Sequence, residues 1–397
     1  MKVLLIPSSY PTRRENWQGN YVHEFSRSLA LGHDVTVVYP QQLGRTGVGD
    51  EPFFTDELLG PRIRLVNYTY PHLAKTWMLS YLGAFKKVWR RLRREWRPDV
   101  VFAHIVMPAG PAALLAGRLL GVPVILTEHW GPAGDWLKEP PVPRGLMRAV
   151  VENTYRRVDY LTAVSDSLAG EIEAVYGASA DGKLDYPIDC EVFRPDGAGA
   201  AGGPRRVLCV TRGHFDPRKG VPNLLAAWEM VARRTNGSAV LDVIGPDVDL
   251  LAPRVAELGL GGTVNLLPWV PAPELASLMR RSALVVIPSV YETFGRSGAE
   301  ALACGVPVVA TDCGGPREYV GEGTGLLVPK EEPAALAEAV LAGLRRENFL
   351  PPEELARRTR ERFAHEVICR RFTEVAEGLL GKKMKKVKNQ PGATTSR

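Results

Sequence analysis

Short apolar runs alternate with amphipathic stretches along almost the whole chain. VLLIP (3–7), DVTVVYP (34–40), PDVVFAH (98–104), GVPVILTEH (121–129) and VDYLTAVS (158–165) have the length and composition of buried strands, and each is followed by helical spacing. GNYVHEFSRSLALG is such a helix, ended by Gly32. The small-residue run DGAGAAGGP (196–204) has the composition of a flexible linker. A second series follows it: RRVLCVT, a helix from Val221 to Arg234, AVLDVIG, a helix ending near Gly259, TVNLL, a helix from Pro273 to Arg281, LVVIPS and VPVVAT. Strand and helix in alternation predict parallel sheets covered on both faces, hence an α/β chain of two doubly wound domains with a cleft between them. No tandem repeat calls for a solenoid.

With 397 residues and 45% hydrophobic content, the chain has enough apolar material for two cores. Its five cysteines are odd in number and form no CxxC, which predicts a reduced, cytoplasmic protein without structural zinc. The opening MKVLLIPSSYP is expected to be a first strand and not a signal peptide. The best membrane-span candidate, ALLAGRLLGVPVIL, is broken by Arg118 and Pro123.

The net charge of +6 is concentrated at the end of the chain: the sixteen residues after Gly381 hold six basic and no acidic side chains, an expected disordered arm. A second basic cluster, FKKVWRRLRREWRP, is periodic. Leu82, Phe85, Val88 or Trp89, Leu92 and Trp96 fall on one face, while Lys86, Lys87, Arg90, Arg91 and Arg94 lie mostly between them. The pattern suits contact with an anionic membrane surface, and it equally suits a helix packed on the sheet with a solvated basic face. No helix-turn-helix or aromatic-basic platform supports nucleic-acid binding.

The candidate chemistry lies in YETFGRSGAEALACG (291–305). Glu292 follows the LVVIPS strand, and Glu300 lies in the next helix, with the Phe294-Gly295 turn between them. In open α/β sheets this carboxyl edge binds ligands, and helix starts there favour phosphate. Carboxylates at such an edge would repel phosphate and instead accept hydrogen bonds from hydroxyls; the alternative is two surface glutamates. VTRGHFDPRKG (210–220) places Arg212, His214, Arg218 and Lys219 after the first strand of the second series, a diphosphate site that needs no metal. Neither a Walker loop nor GxGxxG follows either first strand. Asp247-Val248-Asp249 spells a metal-binding Asp-x-Asp, but its place before a helix predicts capping.

A basic turn ending in Lys-Gly and a later Glu-x7-Glu resemble the retaining glycosyltransferases of family 4, with the GT-B fold. QGNYVHEFSRSLALGHDVTVVYP, PDVVFAHIVMPAG, AVSDSLAGEI, PIDCEVFRP, CGVPVVATDCGGPREYV and GTGLLVP extend the resemblance in order over most of the chain. It implies two Rossmann-like domains facing each other across a cleft: 1–195 on the acceptor side, 196–204 as linker, 205–365 for the nucleotide sugar, 366–380 as a helix crossing back to the first domain, and 381–397 as the tail. It assigns Lys219 to the donor diphosphate, Glu300 to the ribose, Glu292 to the transferred sugar, and the backbone around Phe294 and Gly295 to the phosphates. Gly19 would let backbone approach phosphate, Trp269 and Val270 would flank the base, and His129 would lie near the sugar.

Two positions depart from the family pattern. His214 stands where an arginine is usual, with Arg212 two residues upstream, and Tyr186 replaces an asparagine. The implied activity moves a sugar from a nucleotide-diphosphate donor to a glycan or lipid-linked acceptor in cell-surface polysaccharide or glycolipid synthesis. Cations at the leaving phosphate would drive it, without metal or other cofactor, through same-face attack in which the departing phosphate acts as base. The enzyme would be cytoplasmic, with peripheral attachment to the inner face of the membrane as the basic helix's contribution. The competing expectations are a non-catalytic nucleotide-sugar sensor or membrane scaffold, and a GT-B epimerase or phosphorylase.

Overall fold

A computed structural model describes residues 1–11, 19–42, 54–70, 77–131, 144–197, 205–211, 216–346 and 348–388. The chain divides into two compact units, Met1–Pro187 together with the chain from His365 onward, and Ile188–Ala364.

Unit 1 runs β1 (Lys2–Pro7), α1 (Asn20–Ala30), β2 (Asp34–Gln42), β3 (Phe54–Gly60), β4 (Ile63–Tyr70), α2 (Trp77–Glu95), β5 (Val100–His104), α3 (Ala109–Leu120), β6 (Val124–Glu128), α4 (Arg144–Tyr155), β7 (Tyr160–Ala163), α5 (Asp166–Tyr176) and β8 (Gly182–Lys183). Unit 2 runs β9 (Arg205–Val210), α6 (Val221–Arg234), β10 (Ala239–Ile244), α7 (Ala252–Glu257), β11 (Val264–Leu267), α8 (Ala272–Arg280), β12 (Leu284–Ile287), α9 (Arg296–Ala303), β13 (Val308–Thr311), β14 (Gly325–Val328), α10 (Pro333–Arg345) and α11 (Pro352–Phe363). The last helix, α12 (His365–Lys388), returns to unit 1.

The unit 1 sheet has the order β3-β4-β2-β1-β5-β6-β7-β8, and unit 2 has β11-β10-β9-β12-β13-β14. All pairings are parallel except that between β3 and β4. Every residue of β5, β6, β12 and β13 is buried, the mark of strands covered on both faces. In unit 2 the strand order reverses between β9 and β12, the place at the carboxyl edge where open α/β sheets take ligands.

Three boundaries differ from expectation. Unit 1's sheet gains a hairpin, β3–β4, that the apolar pattern did not reveal. Unit 2 begins at Ile188, ahead of the glycine-rich run: Ile188 is 1% exposed and bridges Ala364, and Asp196 is held by Arg280 at 2.8 Å. Residues 198–204 lie outside the described residues. Finally, α12 continues to Lys388, past Gly381 where disorder was expected, because Lys and Met favour helix and lysines suit its carboxyl end.

Hydrogen bonds fix α12 to unit 1. The Asp185 carboxylate, 1% exposed, accepts from Arg371 at 2.6 Å, His33 Nε2 lies 2.8 Å from Thr373 Oγ1, and His365 Nδ1 lies 3.1 Å from Ser28 Oγ. No described helix is long and apolar enough to cross a membrane.

Candidate active site

The turn after β9 and the turn after β12 are laced together at the strand-order reversal. Asp216 caps a short helical turn, Pro217–Lys219, by accepting the Arg218 N–H at 3.0 Å. The Arg218 carbonyl then accepts the Val290 N–H at 2.7 Å. Gly220 follows with φ +63°, and a Cβ there would lie 1.9 Å from the Pro288 carbonyl oxygen. Only glycine permits that approach, which brings Lys219 beside Glu292.

Glu292 Oε1 accepts from Lys219 Nζ at 2.8 Å and from Ser289 Oγ at 2.9 Å. Its backbone is fixed too: its N–H donates to the Cys313 carbonyl at 3.2 Å and its carbonyl accepts from Gly315 N–H at 2.8 Å. The carboxylate is therefore held on a stitched frame, partly exposed, with a cation at hydrogen-bond distance.

Glu300 lies one turn into α9, 5% exposed, and accepts from Arg296 Nε at 2.8 Å. Gly295, with φ +77°, starts the helix, and its carbonyl accepts from Tyr319 Oη at 2.5 Å. A Cβ at Gly298 would meet the same tyrosine at 2.5 Å, so the small residues of this helix are spaces for Tyr319. Burial first, and then the charges of Glu292, Cys313 and Glu300, push the Tyr319 hydroxyl well above its usual range. One buried side chain thus lies in the field of both carboxylates.

Phe294 is 1% exposed and packs at a tilt on Tyr319, 5.4 Å between ring centres, and edge-to-face on Phe363 at 5.6 Å. Its side chain is core, so any ligand contact at Phe294 and Gly295 belongs to backbone. The Gly298 N–H donates to the Gly295 carbonyl at 3.0 Å, and helix geometry directs the N–H groups ahead of it toward the open end of α9. Trp269 and Val270 follow β11, with the Trp269 indole 54% exposed. Arg212 and His214 lie outside the described residues. Asp247 occupies the expected N-cap place, but with φ 56° and no side-chain cap bond, so capping there rests on its carbonyl, which accepts from Leu250 N–H at 3.2 Å.

In unit 1, His129 immediately follows β6 and is 1% exposed. Its Nε2 lies 2.8 Å from His104 Nδ1, with the rings stacked at 5.0 Å, and Tyr21, Tyr186 and Phe25 pack around it at 4.9, 5.1 and 5.5 Å. Tyr186, the departure from the family pattern, is a wall of this aromatic box. Burial pushes the His129 pKa down to about 3 and that of His104 well below its usual value, so both rings are neutral near pH 7. Buried Glu128 beside it accepts the N–H groups of Val106, His129 and Trp130 and the Tyr155 hydroxyl, at 2.9 to 3.0 Å. Gly19 starts α1 with φ +73°, and the close approach its missing side chain allows is to the Ser9–Tyr10 backbone, 2.5 Å from a Cβ.

On α2, Phe85, Val88, Trp89 and Leu92 are buried, while Lys86, Lys87, Arg90, Arg91 and Arg94 are exposed. Arg91 lies 5.0 Å over the Phe54 ring. Phe85, Val88, Trp89 and Leu92 pack within unit 1 and are not available to insert into lipid, which leaves the basic face and the exposed Leu79.

Sequence reasoning missed Arg296, Ser289, Tyr319, Glu128 and His104. Two strand-end histidines on neighbouring strands could have flagged His104. Arg296 and Glu300, four apart on one helix, look like an ordinary surface pair.

Comparison with known proteins covers both units. Residues 18–183 match the model described as Glycosyltransferase Family 4, and residues 198–363 the one described as Glycosyl transferases group 1. The chain is similar to glycogen synthase of Mycobacterium tuberculosis, 30% identical over 86% of this chain and 85% of that protein. It is also similar to the GDP-mannose-dependent alpha-(1-6)-phosphatidylinositol monomannoside mannosyltransferase of the same organism, 29% identical over 85% and 88%. Among solved structures, sucrose-phosphate synthase from Thermosynechococcus elongatus matches with a TM-score of 0.76 at 20% identity, covering 96% of this chain and 100% of that one. With both units matched in order and the fold shared along nearly its whole length, the chain belongs to glycosyltransferase family 4 and is a GT-B glycosyltransferase.

Proposed function

We propose that this enzyme transfers a sugar, with retention of configuration, from a nucleoside-diphosphate sugar to a glycan or lipid-linked acceptor. The observation that carries the reading is the Lys219–Glu292 pair at the strand-order reversal: a phosphate-binding cation and a hydroxyl-binding carboxylate within 2.8 Å. Lys219 and the opening amides of α9 receive the diphosphate, Glu292 the hydroxyls of the moving sugar, Glu300 the ribose, and Trp269 and Val270 the base. Arg212 and His214 complete the cationic turn, and backbone at Gly19 approaches the phosphate.

Breaking the sugar–phosphate bond places negative charge on the leaving diphosphate and positive charge on the anomeric carbon. Cations fixed before the reaction lower that barrier, and losing one such group typically costs about 2.7–4 kcal/mol. The departing phosphate oxygen takes the proton of the attacking acceptor hydroxyl on the same face, so neither a metal nor a protein nucleophile is needed. His129 serves as a neutral hydrogen-bonding group for the sugar, since burial keeps it from carrying charge.

Two similar proteins, a glycogen synthase and a phosphatidylinositol mannoside mannosyltransferase, carry names that point to polymeric and lipid-linked acceptors. We place the acceptor in cell-surface polysaccharide or glycolipid synthesis, on the cytoplasmic side, with α2's basic face touching anionic lipid. A thermal-shift panel of nucleotide sugars tests the donor, because a bound donor raises the unfolding temperature by mass action. A hit is followed by NMR of the product linkage in the presence of a chelator. An inverted linkage, or transfer abolished by the chelator, refutes the mechanism.

A further inference from the structure

Four cations at the carboxyl edge of the unit 2 sheet are each engaged by an acid: Arg218 with Asp216, Lys219 with Glu292, Arg296 with Glu300 and Arg317 with Asp312. These four pairs sum to zero charge, yet the proposed donor brings a diphosphate. A diphosphate that draws on one of these four cations makes it change partners, from its acid to the phosphate.

The Arg296–Glu300 pair is built for such a change. Arg296 is the first residue of α9, where the helix's positive end disfavours a cation, and an Arg four residues ahead of a Glu is the weaker orientation for a helical ion pair. Helix stability thus gives little reason for an arginine here. The two side chains also differ in depth: Glu300's is 7% exposed and Arg296's is 35%. A carboxylate that deep must keep a hydrogen-bond donor, which a guanidinium or a hydroxyl can supply equally. A group that donates hydrogen bonds, as ribose hydroxyls do, can replace the one that the shallower Arg296 gives Glu300. The freed guanidinium then lies at the helix end where phosphate is received.

We propose that Arg296 is a diphosphate-binding residue that shares Glu300 with the donor ribose, moving from the carboxylate to the diphosphate as the ribose takes its place. The proposal rests on the donor reading above. It accounts for Arg296 at a position where neither helix capping nor dipole compensation does, and it supplies a cation in a site where His214 stands in the place of the usual arginine.

The test is calorimetric titration of the full chain with UDP, GDP and ADP and with uridine, guanosine and adenosine. In Arg296→Met, the preferred nucleoside diphosphate should bind about tenfold or more weakly, while its nucleoside binds as well as before or better, having lost its competitor for Glu300. Arg296→Lys should recover part of the diphosphate affinity, and thermal unfolding of each variant confirms the fold. Equal losses for diphosphate and nucleoside, or no loss for either, would overturn the role of Arg296. Failure of the unmodified enzyme to bind any of the three diphosphates would instead sink the donor reading, and this proposal with it.

Discussion

The carbonyl oxygen of Pro288 stands 1.9 Å from where a side chain on Gly220 would begin, in a backbone conformation with φ +63°. That contact sets the spacing between the turn carrying Lys219 and the turn carrying Glu292. Gly220→Ala is expected to destabilise unit 2 by at least about 2 kcal/mol, from left-handed strain and overpacking together, and to weaken nucleoside-diphosphate binding. Urea unfolding and calorimetry check both effects; an alanine variant with unchanged stability would mean that the two turns can separate freely.

Glu292→Gln keeps the size of the side chain and the Ser289 contact but removes the charge opposite Lys219. It should leave the unfolding temperature nearly unchanged and lower transfer by about 10²–10³, with the donor still binding. Lys219→Met should instead weaken nucleoside-diphosphate binding itself. Full turnover by the Gln variant would remove Glu292 from the reaction.

The exposed Trp269 indole offers a stacking face at the end of β11. Replacing it by alanine should cost about 1–3 kcal/mol of nucleotide affinity, equally for nucleoside and nucleoside diphosphate, and leave thermal stability alone. A loss confined to the diphosphate would place the indole near the phosphates and not the base.

Acid should weaken unit 1. His104 and His129 are buried neutral, and burial lowers the pKa of His23 and His33 as well. A folded-state pKa below the unfolded value of 6.5 means that the unfolded chain binds protons first. Stability is thus fully present above pH 6.5 and declines as pH falls toward the folded values, by at most about 1.4 kcal/mol per pH unit for each imidazole. Glu128, whose pKa burial raises, acts in the opposite direction over its own window. Unfolding midpoints between pH 7 and 4.5 should fall more steeply for the natural chain than for His104→Gln/His129→Gln, and equal slopes would contradict the assignment.

Anionic vesicles should bind through α2 at low salt. Changing Lys86, Lys87, Arg90 and Arg94 to glutamine should weaken binding by about 1 kcal/mol per residue without altering the unfolding temperature, because these side chains are exposed. Vesicle binding that survives the substitutions would move the membrane contact elsewhere, and no binding by the natural chain would remove it.

The parallel strands were legible because strands buried on both faces are apolar throughout, as in VVFAH and VILTE. The β3–β4 hairpin was not: Asn67 is buried at 5% exposure inside β4 and interrupts its apolar run, while β3 is largely exposed and shows no face. At the site, Glu292, Glu300 and Lys219 were visible through residue type and spacing. Tyr319, Ser289 and His104 were not, since their meaning comes from contacts between segments distant in the sequence. Tyr186 was visible only as an anomaly, and its explanation, a ring packed on His129, required the fold.

The Asp185–Arg371 pair bears on how the polypeptide emerges from the ribosome. Asp185 is buried almost completely, and its guanidinium partner is translated 186 residues later, after all of unit 2. Until then a nascent unit 1 lacks the Arg371 bond to this acid and the helix that covers α1, whereas unit 2 has every strand and helix of its own by Ala364. The second-made unit is therefore the first that can be finished, and the growing chain closes its opening half last.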